Sequence, residues 1–239
     1  MRTIRMLSAA IALLAIGAPS AVRAQGRGRG RGEVQNQQQT PVPAAEQQRR
    51  IKQEQQRAAV YRKQLDQQVR VVQNKTAALE KQRRTAQLRV QQQYAAQLLQ
   101  QQQRLQAERN YANDPYISTP PAYRYVIAGS SRLTNEYGAE VLRQAVNTGY
   151  QQGYLAGQAD RQDGWSSNYQ TSPAYQDANY GYTGNYVAQA DYNYYFRQGF
   201  RRGYQDGYAA SLQYGTVSNG TTSILSNVLT AILGLIPIR

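Results

Sequence analysis

The feature that most constrains this chain is a repeat in which glycine returns every fourth residue, usually followed by an aromatic residue. One copy lies in residues 149–160 and the other in residues 199–208. Residues four apart lie on one face of an α-helix, so each copy predicts a helix with a stripe of bare backbone beside a stripe of rings. We therefore predict helices over about 135–162 and 188–213.

Three interior glycines cost each helix about 3 kcal/mol relative to alanine, so a compensating contact is required. Small residues let two helices approach closely, and flanking rings then bury the seam. We predict that the two helices pack as a helical hairpin through their glycine rows; the alternative is a disordered or aggregation-prone Gly/Tyr-rich segment. The predicted helix-packing residues are Gly149, Gly153, Gly157, Gly199, Gly203, Gly207, Tyr150, Tyr154, Phe200, Tyr204 and Tyr208.

The second copy also carries a resemblance to a known group of proteins. The stretch from Tyr195 to Tyr208 resembles the GYxxGYxxG repeats of uncharacterised exported bacterial proteins. The likeness covers about residues 140–210. It implies export to the cell envelope, and it brings no known activity or catalytic residue.

The first residues predict a secretory signal peptide over 1–24. Arg2 and Arg5 precede a short apolar run, and small residues lie before a cleavage point at Gln25. The run has about 12 residues where a bilayer span needs roughly 20; the alternative is an uncleaved anchor. The protein is therefore expected to be periplasmic or secreted, in association with the envelope. Residues 25–45 predict a disordered Arg-Gly and Gln-rich tail.

Residues 46–112 predict one long, basic, Gln-rich helix, because good helix formers dominate and apolar residues recur every seven positions from Ile51 to Ala86. The register slips after Ala86. The heptad pattern favours self-association as a coiled coil. The alternatives are a solvated single helix or a partly disordered arm.

The remaining segments complete an all-α expectation. Residues 113–133 predict a Pro-containing linker, and 134–215 the Gly/Tyr module. Residues 216–239 predict a short apolar C-terminal helix. That helix has three candidate destinations: docking on the module, insertion into a membrane interface, or oligomerisation.

The absence of histidine and cysteine excludes much chemistry. No thiol nucleophile, imidazole acid–base group or Zn–Cys/His site can form. Asp160, Asp163 and Asp177 lack the spacing of a calcium loop and predict capping or solvated roles. We expect no catalytic residue, cofactor or metal, and hence no enzyme.

The formal net charge of +14 is the main functional signal in the composition. We expect a non-enzymatic exported envelope protein with a structural or interaction role. The alternative is a basic module that binds anionic envelope polymers or lipid headgroups, with Arg27, Arg29 and Arg31 among its contacts. A periplasmic holdase-type chaperone is a third hypothesis. Nucleic acid is disfavoured by export and by the scarcity of stacking platforms in the basic segment.

Overall fold

A computed structural model describes residues 42–106 and 109–238. The described helices are α1 (Ala44–Lys81), α2 (Thr85–Arg104), α3 (Pro115–Ser118), α4 (Glu136–Gln162), α5 (Pro173–Asp177), α6 (Gln189–Ala209) and α7 (Ser226–Leu233). The described strands are β1 (Tyr123–Ile127), β2 (Ser130–Thr134), β3 (Gly215–Ser218), β4 (Thr221–Ile224) and β5 (Ile236–Pro237). The signal-peptide prediction and the tail with Arg27, Arg29 and Arg31 lie outside the described residues.

The expectation of an all-α fold is wrong, because the strands form two antiparallel sheets. One sheet has the order β2-β1-β5 and the other pairs β3 with β4. Both hairpins turn on a residue pair with positive φ, Ala128-Gly129 and Asn219-Gly220. Such turns match the twist of paired strands and fix their register. The fold therefore mixes helices with small sheets.

The prediction of a linker over 113–133 and of a single helix over 216–239 is corrected by the same strands. The first segment contains α3, β1 and most of β2, and it buries Tyr125 and Ile127. In the second segment only Ser226–Leu233 is helical, and β5 returns to pair with β1. The α7 helix packs against α4 and α6, and the Tyr195 hydroxyl donates to the Leu233 carbonyl at 3.1 Å. Docking is thus the arrangement adopted among the three candidate destinations.

The single long helix predicted over 46–112 is also wrong. The helix stops at Lys81, Arg83 takes a left-handed conformation with φ 57°, and α2 begins at Thr85. The chain folds back there, so that the Gln101 amide on α2 donates to the Tyr61 hydroxyl on α1 at 2.8 Å. Local propensity favours helix on both sides of the turn. Folding back buries the apolar residues of both halves inside the chain, and this burial decides the outcome.

The apolar seam that predicted self-association is therefore largely used internally. Leu65, Val72 and Leu79 on α1 are buried, as are Ala95 and Leu98 on α2. The register slip after Ala86 falls at the turn between the two helices. The slip marks a helix end rather than an irregularity in a continuous coil.

The α4 and α6 helices run parallel, so the helical-hairpin prediction is wrong in direction. Gly149 lies against Phe196 and Gly157 lies against Tyr204, so the positions rise together along the two helices. Residues 163–188 carry the chain back to the start of the pair. This connection is itself packed, since it contains α5 and the fully buried Tyr182.

The ends of the two long core helices are set by side-chain contacts. Asn135 is the N-cap of α4, and its side chain accepts from the Gly138 amide at 3.2 Å. The α6 helix ends at Ala209 rather than near 213, because Ala210 turns left-handed with φ 53°. The Asp206 carboxylate then accepts from the Gln213 and Tyr214 amides at 3.0 and 2.9 Å, which directs the chain into β3.

Candidate functional site

The predicted packing glycines lie where α4 and α6 meet. A methyl group on Gly149, Gly153 or Gly157 would collide with the backbone carbonyls of α6, and one on Gly199, Gly203 or Gly207 with those of α4. The neighbours are reciprocal: the α4 glycines meet Phe196, Phe200 and Tyr204, and the α6 glycines meet Val146, Tyr150 and Tyr154. A shift of fifty residues relates the two sets. Backbone contact of this kind leaves no space for a ligand and assigns these residues to packing.

An aromatic stripe follows this seam along α6. The rings of Phe196, Phe200, Tyr204 and Tyr208 stack in succession, with centroids 6.2, 6.5 and 6.0 Å apart. Phe200 and Tyr204 are fully buried, whereas Tyr208 is half-buried at the open end. On α4, Tyr150 is buried and stacks on the half-buried Tyr154. The rings of these predicted packing residues close the sides of the glycine seam.

Tyrosine hydroxyls recurrently donate to aspartate carboxylates from another part of the fold. Five of the 20 tyrosines make this contact, which a phenylalanine could not make. Hydrogen bonds to a charged acceptor are stronger than neutral ones, so each pair joins two elements firmly. The pairs are Tyr150–Asp206 at 2.7 Å, Tyr204–Asp160 at 2.6 Å, Tyr94–Asp177 at 2.6 Å, Tyr125–Asp191 at 2.8 Å and Tyr186–Asp114 at 2.9 Å.

Burial tunes the ionisable groups of these pairs. Desolvation, reinforced by the Asp206 carboxylate, raises the pKa of Tyr150 well above 10, so its hydroxyl stays a donor. Burial likewise raises the pKa of Asp160, against the opposing effects of Tyr204 and Arg84. These groups form hydrogen bonds and an ion pair within the fold. They therefore hold the structure together rather than face a substrate.

The aspartates of the rejected calcium hypothesis have structural roles. Asp160 pairs with the buried Arg84, whose guanidinium lies 4.6 Å from the Trp165 ring centroid. Asp163 accepts from the backbone amides of Ala86 and Gln87 at 2.8 and 2.9 Å, and so caps α2 from another element. Among the described residues no group of three or more acidic side chains is placed to hold a metal ion.

Buried glutamines explain part of the Gln-rich composition. Gln101 donates to the carbonyls of Asn179 and Tyr182 at 3.1 and 2.9 Å and accepts from the Gly181 amide at 2.7 Å. Gln91 accepts from the Ala174 amide at 3.0 Å. Glutamine side-chain amides both donate and accept hydrogen bonds. They can therefore pair with the backbone N–H and C=O groups of a segment that belongs to no helix or sheet. The α2 helix thereby fixes the connection between α4 and α6.

The outer face of α1 carries four cations in a row. Lys52, Lys63, Arg70 and Lys81 are all exposed, and they are 11, 7 and 11 residues apart. At about 100° per residue these spacings bring all four within about 20° of one direction along the helix. The buried side chains of α1, among them Tyr61, Leu65 and Val72, point the opposite way. We call this set the α1 cationic row.

The cationic row was missed by the sequence analysis, which considered only the apolar spacing of this segment. The spacing is visible in the sequence. It becomes informative only when the buried face is known, because that face removes half of the helix circumference from the surface. Other α1 cations, such as Arg50 and Arg57, pair with Glu46 and Glu54.

Two of the clefts along α1 have similar volumes. One has a volume of 440 Å³ and is lined largely by amides, with Lys75, Asp177 and Arg197 among its charged residues. The other has a volume of 470 Å³, and its lining includes Arg62, Arg104 and Arg109. Both volumes lie in the range of small-molecule sites.

Comparison of the chain with family models, with curated proteins and with solved structures finds no match. A search of the described helices finds none with the length and apolar character of a membrane span.

Proposed function

We propose that this chain is an exported, non-enzymatic protein of the cell envelope, and that it binds linear anionic polymers through the α1 cationic row. The single observation that carries the proposal is the alignment of Lys52, Lys63, Arg70 and Lys81 on the face opposite the buried one. The signal-peptide pattern and the +14 charge of the sequence agree with a basic protein that acts among envelope polyanions.

The geometry of the row suits an extended ligand. At 1.5 Å per residue the four cations span about 43 Å, with gaps of about 16, 10 and 16 Å. A compact anion reaches one of these charges, whereas a polymer with closely spaced charges reaches all four. The exposed Asp66 lies on the same side of α1 between Lys63 and Arg70, and its carboxylate accepts from the Gln102 side chain. No described acidic side chain lies within ion-pair distance of the four cations. Their charge is therefore available to a partner.

A polymer fits the row better than a membrane surface does. The exposed residues between the cations include Gln56, Asn74 and Ala77, and Val60 and Val71 are the larger apolar side chains beside them. Helices that lie in a membrane interface usually insert Trp, Phe or Leu next to their cations. The outer face of α1 has the cations but lacks Trp, Phe or Leu side chains beside them.

The test is a salt titration with the purified protein and a linear anionic polysaccharide, polygalacturonate, with neutral dextran as the negative control. Each cation that displaces a counterion adds about 0.7–0.9 to the slope of log affinity against log salt on nucleic acids. Replacing the four row cations by glutamine should therefore lower the slope by about 3.

The matched control variant loses four exposed or half-buried arginines of other surfaces, Arg89, Arg124, Arg161 and Arg201, and thus the same net charge. It should keep most of the slope. Equal losses of slope in the two variants would show that net charge alone determines binding. That result would refute a specific role of the α1 cationic row. Binding to phosphatidylglycerol vesicles without binding to polygalacturonate would replace the polymer by a lipid surface.

A further inference from the structure

The cleft between α1, the end of α2 and the loop before α6 concentrates positive charge. Arg62 comes from α1, Arg104 is the last residue of α2, and Arg109 follows it in the chain. The described lining of this cleft contains no acidic side chain. The cleft differs from the α1 cationic row. Its three arginines come from separate positions around one concave space, whereas the cations of the row face outward.

The floor of the cleft is held in place by hydrogen bonds. Tyr111 is 5% exposed, and its hydroxyl donates to the Asn185 side chain at 2.5 Å. The Asn185 amide in turn donates to the Thr183 carbonyl at 2.9 Å. Burial and the carboxylates of Glu54 and Asp114 raise the pKa of Tyr111, while the charges of Arg109 and Arg62 oppose that rise.

Two of the three guanidiniums of the cleft lie outside the ion pairs of the described residues, although Asp66 is one helical turn from Arg62 and lines a neighbouring cleft with it. The Arg109 guanidinium is paired through Nη2 with the buried Asp114 carboxylate at 2.9 Å, and its carbon lies 5.0 Å from the Tyr186 ring centroid. Arg62 and Arg104 have no carboxylate within ion-pair distance among the described residues. Arg109 is thus oriented by Asp114, and among the described residues the other two guanidiniums are not held in an ion pair.

We infer that this cleft is a binding site for a phosphomonoester. A phosphomonoester carries about −1.5 to −2 charges at pH 7 and presents three strong acceptor oxygens to the arginines. The planar fork of arginine pairs with two phosphate oxygens at once. The 470 Å³ volume also leaves room for the small organic group that bears the phosphate. This site is separate from the cationic row and does not require polymer binding.

The experiment is calorimetric titration of the purified protein with inorganic phosphate and with glucose 6-phosphate, with glucose as the neutral control. Both phosphates should bind and glucose should not. The double variant Arg62→Gln, Arg104→Gln should weaken phosphate binding at least tenfold. The control double variant Arg89→Gln, Arg161→Gln removes the same charge from exposed positions outside the cleft and should change the affinity less than twofold.

Equal weakening in both double variants, or no binding of either dissolved phosphate, would overturn the inference. Vesicles that contain phosphatidic acid present the same chemistry on a lipid. Weaker vesicle binding by the cleft variant, together with normal glucose 6-phosphate binding, would also contradict the site. The variant without the four row cations should retain glucose 6-phosphate binding, so failure of the cleft and failure of the row are distinguishable.

Discussion

Replacing Gly153 by alanine tests the backbone contact between α4 and α6 most simply. Intrinsic helix propensity alone predicts that the variant is more stable, because alanine favours a helix over glycine by about 1 kcal/mol. The structure predicts instead that the variant is less stable than the parent. The new methyl group would lie closer than 3.0 Å to the Phe200 backbone carbonyl, and a backbone carbonyl inside a helix cannot swing away as a flexible side chain can.

The magnitude follows from the opening that the methyl group demands. Relief of the collision separates the helices by about 1 Å, which forfeits a quarter to a half of the dispersion energy of each contact across the seam. Five buried side chains line it: Val146, Tyr150, Phe196, Phe200 and Tyr204. With on the order of ten cross-seam contacts each at about 0.15 kcal/mol, the loss is about 2–4 kcal/mol. After the gain in propensity, a net destabilisation of about 1–3 kcal/mol remains.

The assay is urea unfolding followed by circular dichroism, which gives the free energy of unfolding of Gly153→Ala and of the parent protein. The exposed helical position Ala77→Gly is the control, because it reports propensity in this chain without a packing change; it should cost about 1 kcal/mol. The double replacement of Gly153 and Gly203 by leucine should abolish folding of the pair. A Gly153→Ala protein more stable than its parent would refute the packing argument.

Three further changes have defined outcomes in the same unfolding assay. Tyr150→Phe removes a buried donor to Asp206 and should cost about 1.5–3 kcal/mol, whereas Tyr208→Phe, at the open end, should cost less than half as much. Asp163→Ala removes the acceptor that caps the first turn of α2 and should cost about 0.5–2 kcal/mol; an unchanged midpoint would contradict that role. Burial raises the pKa of Glu54 above 4.5, so its protonation favours the fold; the stability of the parent relative to Glu54→Gln should therefore rise as the pH falls from 7 to 5. If the stability of the parent relative to Glu54→Gln stays constant or decreases as the pH is lowered, Glu54 does not have this raised pKa.

The glycine rows were predictable from the sequence because they depend on local spacing alone. Period four places Gly149, Gly153 and Gly157 on one face whatever the rest of the chain does. The direction of the pair was not predictable, since it depends on the path of residues 163–188. That path is fixed by long-range bonds, such as those of Gln101 to the backbone around Asn179.

The strands were missed for two different reasons. Asn219-Gly220 between short β-branched stretches is a strong hairpin signal, and the apolar run that follows it drew the interpretation towards a helix. Ala128-Gly129 is a weak signal, because alanine seldom adopts a positive φ; here Ala128 does so with φ 47°. The first omission could have been avoided from the sequence, and the second could not.

The candidate binding surfaces needed the fold. The row from Lys52 to Lys81 is meaningful only after the opposite face of α1 is known to be buried. The arginine cleft joins Arg62 to Arg104, which are 42 positions apart, and they meet because the chain turns at Arg83. Helix propensity in this segment gives no sign of that turn.

The parallel pairing of α4 and α6 is the central structural claim, and spin-label distances test it directly. The chain has no cysteine, so pairs introduced at exposed positions report without interference. Glu140 and Gln158 lie about 27 Å apart along α4, and Ala209 ends α6. In a parallel pair, a label at Ala209 is close to one at Gln158 and more than about 20 Å farther from one at Glu140. A shorter distance from Ala209 to Glu140 than to Gln158 would mean an antiparallel pair and would contradict the claim.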